Sequence, residues 1–403
     1  MKRSGSADLP LHYGYVPQWL YERMAKLGLS VVEVLLSDYG KDEVIRRLSD
    51  PLWFQCFGAV MGMDWHSSGV TTSVMGSLKK SINPNSRSLG IYIAGGKGKF
   101  SRETPTELMK ISESTGLKGD ELVRASKLSA KVDNTAIQDG YQLYTHNFIL
   151  SDEGKWAVIQ QGMNVKDKTA RRYHWHSEDL TSFVEEPHSG ISGINQGQIL
   201  NLTAQAAGEN RKRILEVSHT NSEKIMQDFA RLILPAHHDI RASDVDLKRL
   251  GALLYMTRET QPENFEELLL LKGVGPRTLQ SLALVSEVIH GAPSRFKDPA
   301  RFAFAHGGKD GHPFPVPLKI YDETLEILQK GIEKSKLGHS DQQKTLAKLH
   351  TVISRAEENF EPDFGLNDVI DEERKNSWKY GGKTVFGDAS KPTGSQPIQL
   401  SLF

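Results

Sequence analysis

The feature that most limits what this chain can become is a change of hydrophobic rhythm near Asn210. Beyond it, Ile214, Val217, Ile225, Phe229 and Leu232, then Leu247, Leu250, Leu253 and Leu254, recur at the three-to-four residue spacing of a helix face. Tyr321, Leu325, Leu328 and Ile332 form one further stripe, and Leu346, Leu349 and Ile353 another. Before Asn210 the pattern is mixed. Pro17 to Met24 and Leu27 to Leu36 read as two short helices, and Leu89 to Ala94 as a buried strand. Gln142 to Leu150, the turn Ser151-Asp152-Glu153-Gly154 and Lys155 to Gln160 read as a hairpin, to which Arg171 to His176 adds a third strand. The expectation is a mixed α+β (or α/β) putative catalytic domain over 1–205. An all-α domain over 206–375 follows, with a helix-hairpin-helix at 265–290, and a flexible tail over 376–403.

Composition bounds the function classes. The chain of 403 residues carries 50 Lys plus Arg against 50 Asp plus Glu, so no global field draws in nucleic acid and any DNA contact must be local. The basic run Asn210-Arg211-Lys212-Arg213 reads first as a solvated helix face. A single cysteine, Cys56, excludes an internal disulfide. The first residues lack the apolar core of a secretory signal and no stretch reads as a membrane span, which points to a cytoplasmic, nucleoid-associated protein.

Chemistry concentrates in three places. Leu271-Lys272-Gly273-Val274-Gly275-Pro276-Arg277-Thr278 lies between two helical patterns, Phe265 to Leu270 and Leu279 to Ile289. The glycines permit a tight turn close to a surface, Val274 plugs the core and Pro276 opens the next helix. Free amides at that helix start, with Lys272 and Arg277, suit a DNA phosphate without reading a base. Lys272, Gly273, Val274, Gly275, Arg277 and Thr278 are the expected DNA-binding residues.

Elsewhere, Asp64 and His66, and then His174, His176 and Glu178, combine carboxylate with imidazole. His174 and His176 share a face if their segment is a strand. With His146 and His188 they suit a divalent metal, Mg or Mn, activating water for phosphodiester hydrolysis. Asp64, His66, His174, His176 and Glu178 are the catalytic candidates, His174 and His176 the metal ligands. Asp139 with Glu153-Gly154-Lys155 imitates an acid-x-lysine nuclease pattern, but the second part reads as a hairpin turn and is set aside. Gly95 to Lys99 offers a weak phosphate contact. In helix-hairpin-helix glycosylases a lysine beside the hairpin attacks the sugar and a later aspartate assists. Here Arg277 stands where that lysine is expected, and Asp298 lies twenty residues beyond Thr278.

The last residues, Gln399-Leu400-Ser401-Leu402-Phe403, resemble the pentapeptide with which bacterial replication and repair proteins dock onto the DNA polymerase sliding clamp. The resemblance implies that Leu400, Leu402 and Phe403 are apolar anchors and Gln399 an orienting group, reached through the Gly-, Ser- and Pro-rich segment 387–397. Three other segments, Ser4 to His12, Gly95 to Lys99 and Phe302 to Gly311, resemble an uncharacterised archaeal and bacterial family, domain of unknown function seven-six-three. That resemblance implies a shared architecture up to about residue 380 and assigns no catalytic residue. Together these readings predict a clamp-associated DNA repair or replication enzyme, foremost a metal-dependent nuclease. The alternatives are a base-excision glycosylase using Asp298 and a non-catalytic adaptor for DNA and clamp.

Overall fold

Alternation of apolar side chains along the central strands sets the layering. The computed structural model describes Val16 and residues 18–63, 68–166, 169–220, 247–300 and 318–335. It also describes Gly338, residues 340–347, Leu349 and the pairs 383–384 and 387–388. The strands are β1 (Ile91–Lys97), β2 (Ile137–Gln138), β3 (Gln142–Ser151), β4 (Trp156–Asn164), β5 (Thr169–His176), β6 (His188–Ser192), β7 (Gln198–Asn201) and β8 (Arg295–Lys297). Five make an antiparallel sheet in the order β1-β3-β4-β5-β6, and β2-β7-β8 make a smaller antiparallel one. Helices and antiparallel sheets together make the architecture α+β.

On one face of the large sheet, Ile91, Ile93, Ile149, Ala157 and Ile159 share a core with α1 (Gln18–Tyr39), α2 (Lys41–Ser49), α3 (Pro51–Val60) and α4 (Gly69–Ile82). The short α5 (Ser86–Leu89) leads into β1. On the other face, Tyr92, Ala94, Phe148, Val158 and Trp175 pack with α6 (Lys99–Thr115), α7 (Gly119–Lys131) and α8 (Gly208–His219). The same core takes in α9 (Leu247–Thr260), α10 (Phe265–Leu270) and α11 (Pro276–His290). It therefore runs without a break from Tyr92 to Val285, across residue 205. Ile327, Leu328 and Ile332 of α12 (Leu318–Glu333) return to the first core.

Two local expectations change. The two helices expected up to Leu36 are one: α1 runs unbroken from Gln18 to Tyr39, and at Gly28 it packs so closely on Leu78 of α4 that an added Cβ would lie 2.8 Å from its Cδ2. The first strand continues past Ala94, with Gly95, Gly96 and Lys97 paired to Asn147, His146 and Thr145 of β3. The Gly95 amide goes to Glu107 Oε2 at 2.6 Å, so Gly95 to Lys97, read as part of a weak phosphate contact, continue the edge strand of the sheet. Among the described residues, no helix is long and apolar enough to cross a membrane.

Candidate nucleic-acid interface

The helix α10 starts because Asn264 accepts from the Glu267 amide at 3.0 Å while Glu267 Oε2 reaches back to the Glu263 amide at 2.9 Å, a reciprocal cap. It stops after one and a half turns, at a turn in which Gly273 holds φ +94, a conformation suited to glycine. Val274, 1% exposed, plugs the core between Leu268, Leu269, Leu279 and Leu282, while Lys272, Gly273 and Arg277 are exposed. Thr278 is buried and its hydroxyl donates to the Gly273 carbonyl at 3.2 Å.

The backbone of this turn is polarised in one direction. Its carbonyls face protein donors: Lys131 Nζ to Val274 O at 2.5 Å and Gln138 Nε2 to Pro276 O at 2.7 Å. Gly275 caps α11 without a side-chain partner, and the amides of Lys272, Gly273, Gly275, Arg277 and Thr278 have no acceptor among the described residues. Peptide units anchored through oxygen present their N–H groups, the arrangement that favours an anion at a helix start. Arg124 to Glu266, 2.6 Å, ties α10 to α7, and burial lowers the Lys131 ammonium below its ordinary range.

Two of the three cations of the basic run on α8 are paired: Arg211 is held by Glu185 and by the carbonyls of Leu202 and Ala204, and Arg213 by Glu209 and Glu216, while Lys212 is exposed.

The polar residues of the sheet divide by face. His174 and His176 do lie on one face of β5, towards α3. His174 is fully buried: its Nε2 accepts from Arg172 Nε at 2.8 Å, and its ring meets the Phe54 ring edge-on at 5.5 Å. Burial first, then the Arg172 charge, push this imidazole well below its ordinary range, so it is neutral. Burial also lowers the Arg172 guanidinium to about 9. With that cation against the occupied nitrogen, the position opposes a second cation. His176, 3% exposed, has Nδ1 at 3.3 Å from Asp179 Oδ2, and the exposed Glu178 pairs with Lys155. Asp64 and His66 lie outside the described residues, as do Gln399, Leu400, Leu402 and Phe403. Among the described residues, no group of three or more His, Cys, Asp or Glu side chains is arranged to hold a metal ion.

On the opposite face a hydrogen-bonded chain links β3, β4, β5 and β6. Ser126 Oγ lies 2.9 Å from His146 Nε2, and His146 Nδ1 2.7 Å from Gln160 Oε1. Gln160 Nε2 donates to Asp133, whose Oδ2 also accepts from Trp175 Nε1 at 2.9 Å and whose Oδ1 meets His188 Nε2 at 2.5 Å. Asp133 sits in a π-helical turn, Val132–Ala136, a geometry that often marks functional positions. Sequence reading missed Asp133 because its partners lie far along the chain. The sequence signals only His188, as one of the possible ligands.

Asp298, the glycosylase candidate, is 2% exposed and belongs to a third buried group with Arg171, Asp139 and Tyr173. Comparison with curated proteins and with solved structures returns no match. The turn, the Asp133 chain and Asp298 all fall inside residues 5–316, which match the model of the family described as "Protein of unknown function (DUF763)", and the chain belongs to that family.

Proposed function

We propose that this protein is a sliding-clamp-associated DNA-processing enzyme that holds the sugar-phosphate backbone through residues 272–278 and hydrolyses phosphodiester bonds. One observation carries the reading: the acceptor-free amides of Gly275 and Arg277, whose peptide carbonyls are held by Lys131 and Gln138, lie beside the exposed cations Lys272 and Arg277. Contacts of this kind neutralise phosphates without reading bases, so binding is sequence-neutral and salt-dependent. A peptide such as Gln399 to Phe403 docked on the ring raises the effective concentration at DNA, so a net-neutral chain can act there with a weak grip. Mg or Mn is the metal expected for the hydrolysis.

The test uses the full chain with Lys272→Gln and Arg277→Gln combined, measured by fluorescence anisotropy on a labelled duplex over a salt series. Expected is a fall in the magnitude of the log K against log salt slope by about 1–2, equal on unrelated sequences. An unchanged slope overturns the grip. In parallel, removal of residues 399–403 abolishes clamp pull-down and spares activity on short oligonucleotides. Incubation of branched, mismatched and single-stranded substrates with Mg or Mn, against an EDTA control, separates a metal-dependent nuclease from a glycosylase and from an adaptor.

A further inference from the structure

Asp133 is a fully buried carboxylate with three donors, Gln160, Trp175 and His188, and the last is a histidine at a chain irregularity. The β5–β6 register shifts between His174 and Trp175, opposite His188, so a β-bulge redirects this part of the edge strand. A π-turn on one side and a bulge on the other bring two residues 55 apart into contact at 2.5 Å. A carboxylate that already accepts from Trp175 and Gln160 only accepts, so the hydrogen of the pair sits on His188 Nε2. The lone pair is therefore on Nδ1. That nitrogen has no partner among the described residues and is not buried, although the side chain as a whole is 6% exposed. The Trp175 ring, edge-on with centroids 4.6 Å apart, and Tyr173, at 6.2 Å, fix the imidazole plane.

We propose that His188 is a catalytic general base, with Asp133 as its positioning residue, for hydrolysis of a phosphodiester strand held at residues 272–278; this rests on the DNA-binding reading above. Base and grip are linked through hydrogen bonds to one short chain segment. The segment that carries Asp133 also carries Lys131 and Gln138, whose side chains hold the Val274 and Pro276 carbonyls, and α11 packs on the π-turn.

In the step, a water oxygen bonds to phosphorus while its proton passes to His188 Nδ1, and the bond from phosphorus to the leaving sugar oxygen breaks. The imidazolium returns the proton to that oxygen, so one water is consumed and a phosphate monoester and an alcohol are formed. Asp133 holds the tautomer and stabilises the transient imidazolium.

The experiment compares the full wild-type chain with His188→Gln and Asp133→Asn in single-turnover cleavage of labelled duplex, branched, mismatched and single-stranded DNA, with Mg or Mn, beside anisotropy on the same DNA. His188→Gln is expected to lower the rate by about 100-fold or more with affinity within about twofold of wild type. Asp133→Asn is expected to lower kcat at unchanged KM and to erase the Nε2–H tautomer signature of His188 in nitrogen-15 NMR. As a measurement free of variants, diethylpyrocarbonate acylates His188 in the wild-type chain, and bound oligonucleotide protects it. A His188→Gln rate within threefold of wild type, an unprotected His188, or no cleavage by the wild-type chain of any of these substrates overturns the dyad. The anisotropy separates this from failure of the grip, which the Lys272 and Arg277 variants report.

Discussion

Replacing Asp298 by Asn distinguishes a structural from a catalytic use of that carboxylate. Its two oxygens take four hydrogens: Oδ1 from Arg171 Nη1 and the Ala300 amide, both at 3.0 Å, and Oδ2 from Arg171 Nη2 at 2.7 Å and the Gln196 amide at 2.8 Å. Arg171 is fully buried and also grips Asp139 Oδ2 at 2.8 Å, on which Tyr173 OH donates at 2.6 Å. An amide in either orientation sets one NH2 against two donors, so a charge-assisted bond and a backbone bond are lost together. Charge-assisted bonds contribute about 1.5–3 kcal/mol and breaking a buried ion pair costs about 3–5, so Asp298→Asn should destabilise by about 3–5 kcal/mol. The melting midpoint should then drop by about 4–6 °C.

Asp139→Asn should cost less, about 1–2 kcal/mol, since an amide that keeps its oxygen towards Arg171 Nη1 and Tyr173 OH leaves only the Tyr141 amide, 3.0 Å from Oδ1, without its acceptor. Burial raises the Asp139 carboxyl above its ordinary value against the pull of Arg171 and Tyr173. Because that value is raised on folding, the group's contribution to stability is complete below the unfolded value of 3.8 and is lost as pH rises through the folded one. At neutral pH the Asn variant escapes this penalty. Urea and thermal unfolding by circular dichroism check the order. Asp298→Asn within about 1 kcal/mol of wild type, or milder than Asp139→Asn, would refute the reasoning. A glycosylase acting through Asp298 demands the opposite outcome, a folded but inactive variant.

Lys131→Met keeps the apolar stem and removes the donor to Val274 O, so duplex affinity should fall about fivefold, or about 1 kcal/mol, with the salt slope unchanged. A slope reduced as in Arg277→Gln would instead make Lys131 a direct phosphate contact. Burial pushes the Cys56 thiol up to about 12, so it should resist a disulfide reagent at pH 8 and react with one equivalent only after urea unfolding; rapid reaction of the native chain would show that α3 opens.

What could be read from the sequence was what neighbours in the chain decide. The β3–β4 hairpin was legible because alternation and the Ser151-Asp152-Glu153-Gly154 turn sit in one short window, and the register runs Leu150 to Trp156 as that turn requires. The glycine turn between α10 and α11 was legible for the same reason: Gly273, Val274 and Pro276 each meet a local need. The two helices expected over Pro17 to Met24 and Leu27 to Leu36 are one, Gln18–Tyr39, along which Met24, Leu27, Val31 and Leu35 face the same core. His174 illustrates the limit on sites. Its face was inferred from strand parity, but its occupancy by Arg172 and its packing on Phe54 depend on which layer covers that face, which parity does not encode. The dyad lies further out of reach, since Asp133 owes its direction to a π-turn and meets His188 across a bulge, and neither irregularity has a sequence code of its own. A polar pair made by two departures from regular structure is stable only if its buried carboxylate is fully matched, as both oxygens of Asp133 are. Holding such a pair at the sheet edge requires more of the fold than an apolar pair would, and that requirement is the physical ground for testing His188 first.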